Sequence, residues 1–258
     1  MKKIVPFLTC IGYFFCGFPF VALLYFLTDF PNNPTRDKYN LILFIPLVIL
    51  GFLGILLFKT KLKPLLYFPS WKVITLGCIL MSIFFILNHP LIHIFDYLKG
   101  DVTMPHLLFC FDITYYDILG VSLIPFFEEL CNRAIILAYL KKHYNTFISL
   151  LMSSFIFALG HDNLEHALAI FTFSMIIGYV FIKSNSLVLA TLMHAYYNIL
   201  PTLTSYGLHK MTEMRFLYAI TWLVPIALFL FVLKQLVKQI NHDVAKRKQS
   251  ISLTLPEQ

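Results

Sequence analysis

Apolar runs of about 15 to 25 residues recur along this chain, separated by polar segments too short to be domain linkers. They predict eight membrane-spanning helices, near residues 4–27, 41–58, 73–95, 117–140, 146–160, 165–182, 186–201 and 216–236. Between them lie FPNNPTRDK at 30–38, KTKLKP at 59–64, a segment carrying Asp96, Asp101, Asp112 and Asp117, and KKHYN at 141–145. There is no internal repeat or low-complexity tract. The expected fold is all-α: a polytopic transmembrane helix bundle of about eight spans.

Composition agrees, because 59% of the residues are hydrophobic and only 13% are charged, far from the balance of a soluble domain. The net charge of +7 would suggest nucleic acid in a soluble protein, but here the basic residues fall between apolar spans and mark topology. No nucleic-acid module is visible. Placing alternate loops on opposite sides puts Lys2, Lys3, Lys59, Lys61, Lys63, Lys72, Lys141, Lys142, Lys183, Lys234, Lys238, Lys246, Arg247 and Lys248 together. Arg36, Lys38, Lys99, Lys210 and Arg215 fall on the other side, and Arg133 lies within a span. The positive-inside rule then places both termini in the cytoplasm, as expected for a multi-pass protein of the cell membrane.

The basic start and first apolar run resemble a signal peptide, but the run is too long and lacks a small-residue cleavage site, so it reads as a retained span. Bulky Phe7 and Leu8 argue against a lipid anchor at Cys10. Cys10, Cys16, Cys78, Cys110 and Cys131 stand singly and read as small apolar residues rather than disulfides or zinc ligands. The polar stretch 241–258 is expected to be a loosely ordered tail.

The fourth run, VSLIPFFEELCNRAIILAYL at 121–140, holds two glutamates and an arginine where charge is expensive. On insertion scales such a charge costs at least about 2.5–3.5 kcal/mol at mid-membrane, so these groups pair or face a functional polar cavity. Glu129 and Arg133 are four apart, on one helical face, in the order that favours an ion pair. Glu128 is turned about 100° away and is free for another task. A structural charge cluster is the competing reading.

Two later sites also break the apolar pattern. SSFIFALGHDNLEHALA at 153–169 sets Phe157 and His161 four apart at a span's end, with Asp162, Glu165 and His166 in the following turn. LVLATLMHAYYNILPTL at 187–203 puts His194 and Asn198 on one helical face. Taken singly, these side chains could simply join helices by hydrogen bonds. Gathered with Glu128, they supply what water activation and oxyanion stabilisation need: a base, imidazoles and an amide donor. His89 and His93 read as membrane-interface residues, and His106, His143, His209 and His242 fall in loops or the tail.

The series E-E-x-x-x-R at Glu128 to Arg133, F-x-x-x-H at Phe157 to His161 and H-x-x-x-N at His194 to Asn198 resembles the motifs of the CPBP family. This family of CAAX proteases and bacteriocin-processing enzymes, also called Abi, includes the type II CAAX prenyl endopeptidases. The resemblance covers 128–198 and divides the chain into N-terminal helices at 1–115, a catalytic core at 116–202, and a final helix with its tail at 203–258. It implies an intramembrane protease in which Glu128, assisted by His161, activates water, while His194 and Asn198 stabilise the oxyanion. Glu129, Arg133 and Phe157 would be structural or set the charge of Glu128.

No cofactor is expected. The alternative is a zinc site built from Glu128, His161 and His194. The expected partners are the lipid bilayer and a membrane-associated peptide or protein substrate. Two competing functions remain: a non-catalytic bacteriocin-immunity or scaffold protein of the same fold, and a small transporter, for which paired halves or broken helices are missing from the sequence. Rise along the helices puts Glu128, His161 and His194 about 18, 22 and 12 Å from the lysine-marked side, so the reaction chamber is expected at intermediate depth.

Overall fold

The computed structural model describes residues 4–27, 36–99, 115–161, 167–212 and 223–254. Within the described residues each of the eight apolar runs holds a helical segment, with two internal interruptions. The first run is split at Cys16 and Gly17 into α1 (Val5–Phe15) and α2 (Phe18–Leu27). The fourth starts as α5 (Tyr115–Glu129), widens into a π-helix over Leu130–Leu137, and finishes as α6 (Ala138–Leu140). The others are α3 (Arg36–Phe58), α4 (Trp71–Lys99), α7 (Thr146–Leu159), α8 (Ala167–Ser184), α9 (Leu187–Thr212) and α10 (Leu223–Thr254). No strand occurs among the described residues.

This all-α bundle belongs in a membrane. Val5–Leu27, Trp71–Asn88, Ala167–Ser184 and Val224–Gln249 are each long and apolar enough to cross one, and three shorter apolar helices accompany them. A chain with several such segments is a multi-pass membrane protein. Large apolar side chains such as Phe26, Phe52, Leu56 and Phe231 are left exposed, as lipid-facing positions require. The 14 residues of α7 rise only about 21 Å, less than the roughly 30 Å hydrocarbon thickness. Its end at Gly160 and His161 therefore falls short of the far interface if Asn145 marks the near one.

Polar caps define several helix ends. Asn145 Oδ1 accepts from the Ile148 N–H at 2.8 Å, satisfying one free donor at the start of α7. Ser186 Oγ accepts from the Leu189 N–H at 3.1 Å and donates to the Tyr67 carbonyl at 2.9 Å, so one hydroxyl both caps α9 and ties it to the α3–α4 connection. Asn185, just beyond α8, takes the left-handed conformation that Asn tolerates at helix ends (φ 51°).

The expectation of a loose tail is corrected. The final helix runs on to Thr254, because its polar stretch has tertiary partners. Asp243 Oδ2 accepts from the Ser70 N–H at 3.1 Å. Arg247 donates to the Pro64 carbonyl at 3.1 Å and stacks over the Tyr67 ring at 4.3 Å. Residues 255–258 lie outside the described ones. These contacts bring the 63–72 connection, the 184–187 turn and the end of α10 to one end of the bundle, so several of the grouped lysines share a side.

The core is built around the widened fourth helix. Ile135, Ile136, Leu137 and Leu140 are fully buried, and so are Leu187, Leu189 and Ala190 of α9. α3 packs along α5, α4 lies against α9 and α10, and α7 lies against α8. The motif-bearing helices thus turn buried faces toward one another, while α1 and α2 form an outer wall.

Candidate active site

Pro125 inside α5 removes one helical donor, and the π-helix begins five residues later, directly after the two glutamates. Such widened turns are often found at functional sites. Around it the expected ion pair forms: Arg133 Nε lies 2.7 Å from Glu129 Oε2, and both side chains are fully buried. Burying charge this deeply requires further partners. Arg133 Nη1 donates to Ser174 Oγ at 3.0 Å, and the guanidinium lies over the Phe157 ring at 5.6 Å. Asn132, with its amide oriented as its neighbours require, donates to the Ser153 carbonyl at 3.1 Å and accepts from Arg133 Nη1 at 2.9 Å. The Glu129–Arg133 pair is thereby tied to α7 and α8.

His194 of α9 stands between the two glutamates. Its Nδ1 is 2.9 Å from Glu129 Oε1, and its Nε2 is 3.5 Å from Glu128 Oε2. Since a paired carboxylate only accepts, the contact with Glu129 places a proton on Nδ1 and turns Nε2 toward Glu128. Phe173 meets the imidazole edge to face at 4.9 Å, and Phe157 closes the other side at 6.0 Å, holding the ring plane. The adjacent glutamates therefore occupy different surroundings. Glu129 is used up by Arg133 and His194, whereas the Glu128 side chain keeps about 20% of its surface open.

Glu128 opens onto a cavity of about 390 Å³ that it shares with His161, Asn132 and Cys131. His161 Nδ1 donates to the Phe157 carbonyl at 3.0 Å, since a carbonyl oxygen can only accept. In the neutral ring this leaves the lone pair on Nε2, and the ring packs on Phe157 at 4.8 Å. The remaining wall is mostly apolar. α3 contributes Pro46, Leu47 and Leu50, and α1 and α2 contribute Phe14, Val21 and Tyr25.

The structure thus gathers Glu128, Glu129, Arg133, Phe157, His161 and His194 around one place. It leaves Asn198 apart. Asn198 lies one turn beyond His194 on α9, is exposed, and is not part of the cavity wall. Glu128 and His161 line the cavity, His194 sits behind Glu128 in the protein, and Asn198 is outside. The physical reason is that His194 is covered by Phe173 and Phe157, whereas Tyr197 is the next side chain to turn inward, stacking on Phe173 at 4.6 Å. Asp162, Glu165 and His166 lie outside the described residues.

Several contributors were not singled out from the sequence. Asn132 is the x before Arg133 in the first motif, and its amide inside an apolar run was the available signal. Ser153 and Ser174 are small hydroxyl residues in apolar helices, which gives little warning. Asn88 of α4 is buried and donates to Tyr197 Oη at 2.9 Å, behind the ring that supports Phe173. Among the described residues, no three His, Cys, Asp or Glu side chains are grouped so as to hold a metal ion. His161 Nδ1 is engaged by a carbonyl, and both nitrogens of His194 face carboxylates.

Residues 112–200 match the family model described as type II CAAX prenyl endopeptidase Rce1-like. Comparisons with curated proteins and with solved structures give no match. The matched stretch runs from α5 through the π-helix, α7 and α8 into α9, and so contains every buried ionisable group of the cluster. The costly charges and the family match coincide: the stretch 112–200, which holds them, is similar to the type II CAAX prenyl endopeptidase family.

Proposed function

We propose that this protein is an intramembrane endopeptidase that hydrolyses a peptide bond in a membrane-associated peptide or protein, using a water activated by Glu128. The observation that carries the reading is the asymmetry of the glutamate pair. Glu129 is wholly enclosed and ion-paired, while Glu128 presents its carboxylate to a cavity shared with His161. A structural cluster gains nothing from leaving one carboxylate of the two open and unpaired by arginine.

The charges support this division of work. Arg133 and Glu129 cancel. Glu128 and His194, facing each other with a proton already on Nδ1, are neutral as a pair when they hold one further proton between them. A neutral cluster is the least expensive arrangement at membrane depth. In the reaction, Glu128 takes a proton from a water that also donates to His161 Nε2, and the resulting hydroxide attacks the peptide carbonyl. Glu128 then returns the proton to the leaving amine, while His194, held by Glu129, steadies the changing charge on Glu128. No step rests on Asn198. The reading is metal-free, and both termini face the cytoplasm in an eight-span arrangement.

The test is cleavage of a panel of membrane peptides by detergent-purified protein, compared with Glu128→Gln. The proposal expects defined products from the native protein and none from the variant. A non-catalytic immunity or scaffold protein would yield no products from either. Equal cleavage by both would overturn the assignment of Glu128.

A further inference from the structure

The wall opposite Glu128 and His161 comes from α1 and α2, outside the stretch that matches the protease family. Its position is fixed by an unusual pair of neighbours. Tyr13 is buried, and its hydroxyl donates to the Leu50 carbonyl of α3 at 2.7 Å, with Cys131 Sγ at 3.6 Å. Gly54 makes room for that hydroxyl, because a Cβ there would collide with it. The Tyr13 ring also meets Phe58 edge to face at 5.3 Å. A buried hydrogen bond and a ring contact at one residue make α1 a fixed wall at this point rather than a loose flap.

The next residue, Phe14, projects into the cavity wall and rests on Gly160, the residue before His161. A Cβ on Gly160 would strike the Phe14 ring, so the ring sits directly on the backbone that carries the imidazole. Beyond Phe14 the chain turns at Gly17, whose missing side chain leaves room for Leu50, and continues as Val21 and Tyr25 along the same cavity. At about 390 Å³ the space is at the small end of the roughly 300–1,000 Å³ of ordinary ligand sites. Its polar side chains are Glu128, Asn132 and His161, with Tyr25 on α2, and Asn132 is already engaged on both sides of its amide. A polar substrate side chain against the α1 face would find few partners there.

We infer that Phe14 is a specificity-determining residue, a fixed stop that limits the substrate to a small or medium apolar side chain next to the bond being cleaved. This rests on the peptide-hydrolase reading above and extends it to the choice of substrate. Phe14 carries no proton in the proposed reaction, so shortening it should change which substrates are accepted without removing the base.

The experiment has two arms. In the first, native protein, Phe14→Ala and Phe14→Leu are assayed on matched membrane peptides that differ only in one residue beside the cleaved bond, alanine, leucine or tryptophan. The expected result is that Phe14→Ala raises the tryptophan-to-alanine ratio of kcat/KM by roughly tenfold or more, with Phe14→Leu between it and the native protein. An unchanged ratio in both variants, with cleavage retained, would overturn the inference while leaving the protease reading intact. Loss of the reaction in Glu128→Gln is the separate control on that reading.

The second arm needs no activity. Gly160→Ala is expected to lower the melting temperature, since its φ of −78° suits alanine and the three nearest atoms a Cβ would meet all belong to the Phe14 ring. The double variant Phe14→Ala, Gly160→Ala is expected to recover most of that loss. If it melts no higher than Gly160→Ala alone, Phe14 does not occupy the seat that the filter requires.

Discussion

The two walls of the cavity are built on different physical terms. The wall from α5 to α9 is polar and dense: Glu129, Arg133, Ser174, Asn132 and His194 hold one another in fixed geometry, and each would be costly if left alone. The wall from α1 to α3 is apolar, with Tyr13 as its main polar tie, and is defined by shape at Phe14, Pro46 and Leu50. The first can carry chemistry because its groups cannot move independently. The second can select substrates because changing its shape leaves the charges undisturbed. Substitutions in the two walls should therefore fail in different ways.

The largest effect is expected at Glu128. Glu128→Gln keeps shape and hydrogen-bonding reach but removes the base, so cleavage should fall by about 10²–10⁴-fold while the melting temperature stays close to native. Differential scanning fluorimetry beside the peptide assay checks both halves of that statement. Glu129→Gln and Arg133→Met should instead strike the fold. Breaking a buried pair costs about 3–5 kcal/mol, so both variants should melt lower and accumulate less in membranes as well as losing activity. If all three variants melted alike, the distinction between the working and the enclosed glutamate would be lost.

Smaller effects probe the apolar wall and the edge of the site. Tyr13→Phe removes the hydrogen bond to the Leu50 carbonyl and should cost about 1 kcal/mol, seen as a modest melting shift with cleavage preserved. Asn198→Ala should reduce cleavage less than His194→Ala does, because Asn198 is exposed and outside the wall while His194 contacts both glutamates. A larger loss at Asn198 would require α9 to turn that amide toward the substrate during the reaction. Chelators should leave the rate unchanged; inhibition by phenanthroline reversed by zinc would shift Glu128, His161 and His194 to the role of ligands.

This difference in physical terms also explains what could be read from the sequence. Glu128, Glu129 and Arg133 announce themselves because charge in an apolar run demands a reason, and the four-residue spacing foretells their pair. The eight apolar runs locate the helices well. The π-helix after Glu129 is hidden, since moving each backbone hydrogen bond by one residue leaves the hydrophobic pattern of LCNRAIIL unchanged. Phe14 is hidden too: in an apolar segment, a phenylalanine that shapes a cavity reads the same as one facing lipid. The continuation of α10 to Thr254 was missed because its support comes from Ser70, Pro64 and Tyr67, more than a hundred residues away in sequence. That His194 contacts Glu129 as well as Glu128 depends on how α9 crosses α5, which no local spacing encodes.

The central claim is that Glu128 activates a water that becomes part of the product. Native protein and Glu128→Gln in lipid bilayers, each incubated with a cleaved membrane peptide in heavy-oxygen water and a chelator, would test it by mass spectrometry. The account predicts that the native protein places one heavy oxygen in the new carboxyl terminus, and that the variant forms no product. Labelled product at a similar rate from Glu128→Gln would contradict it.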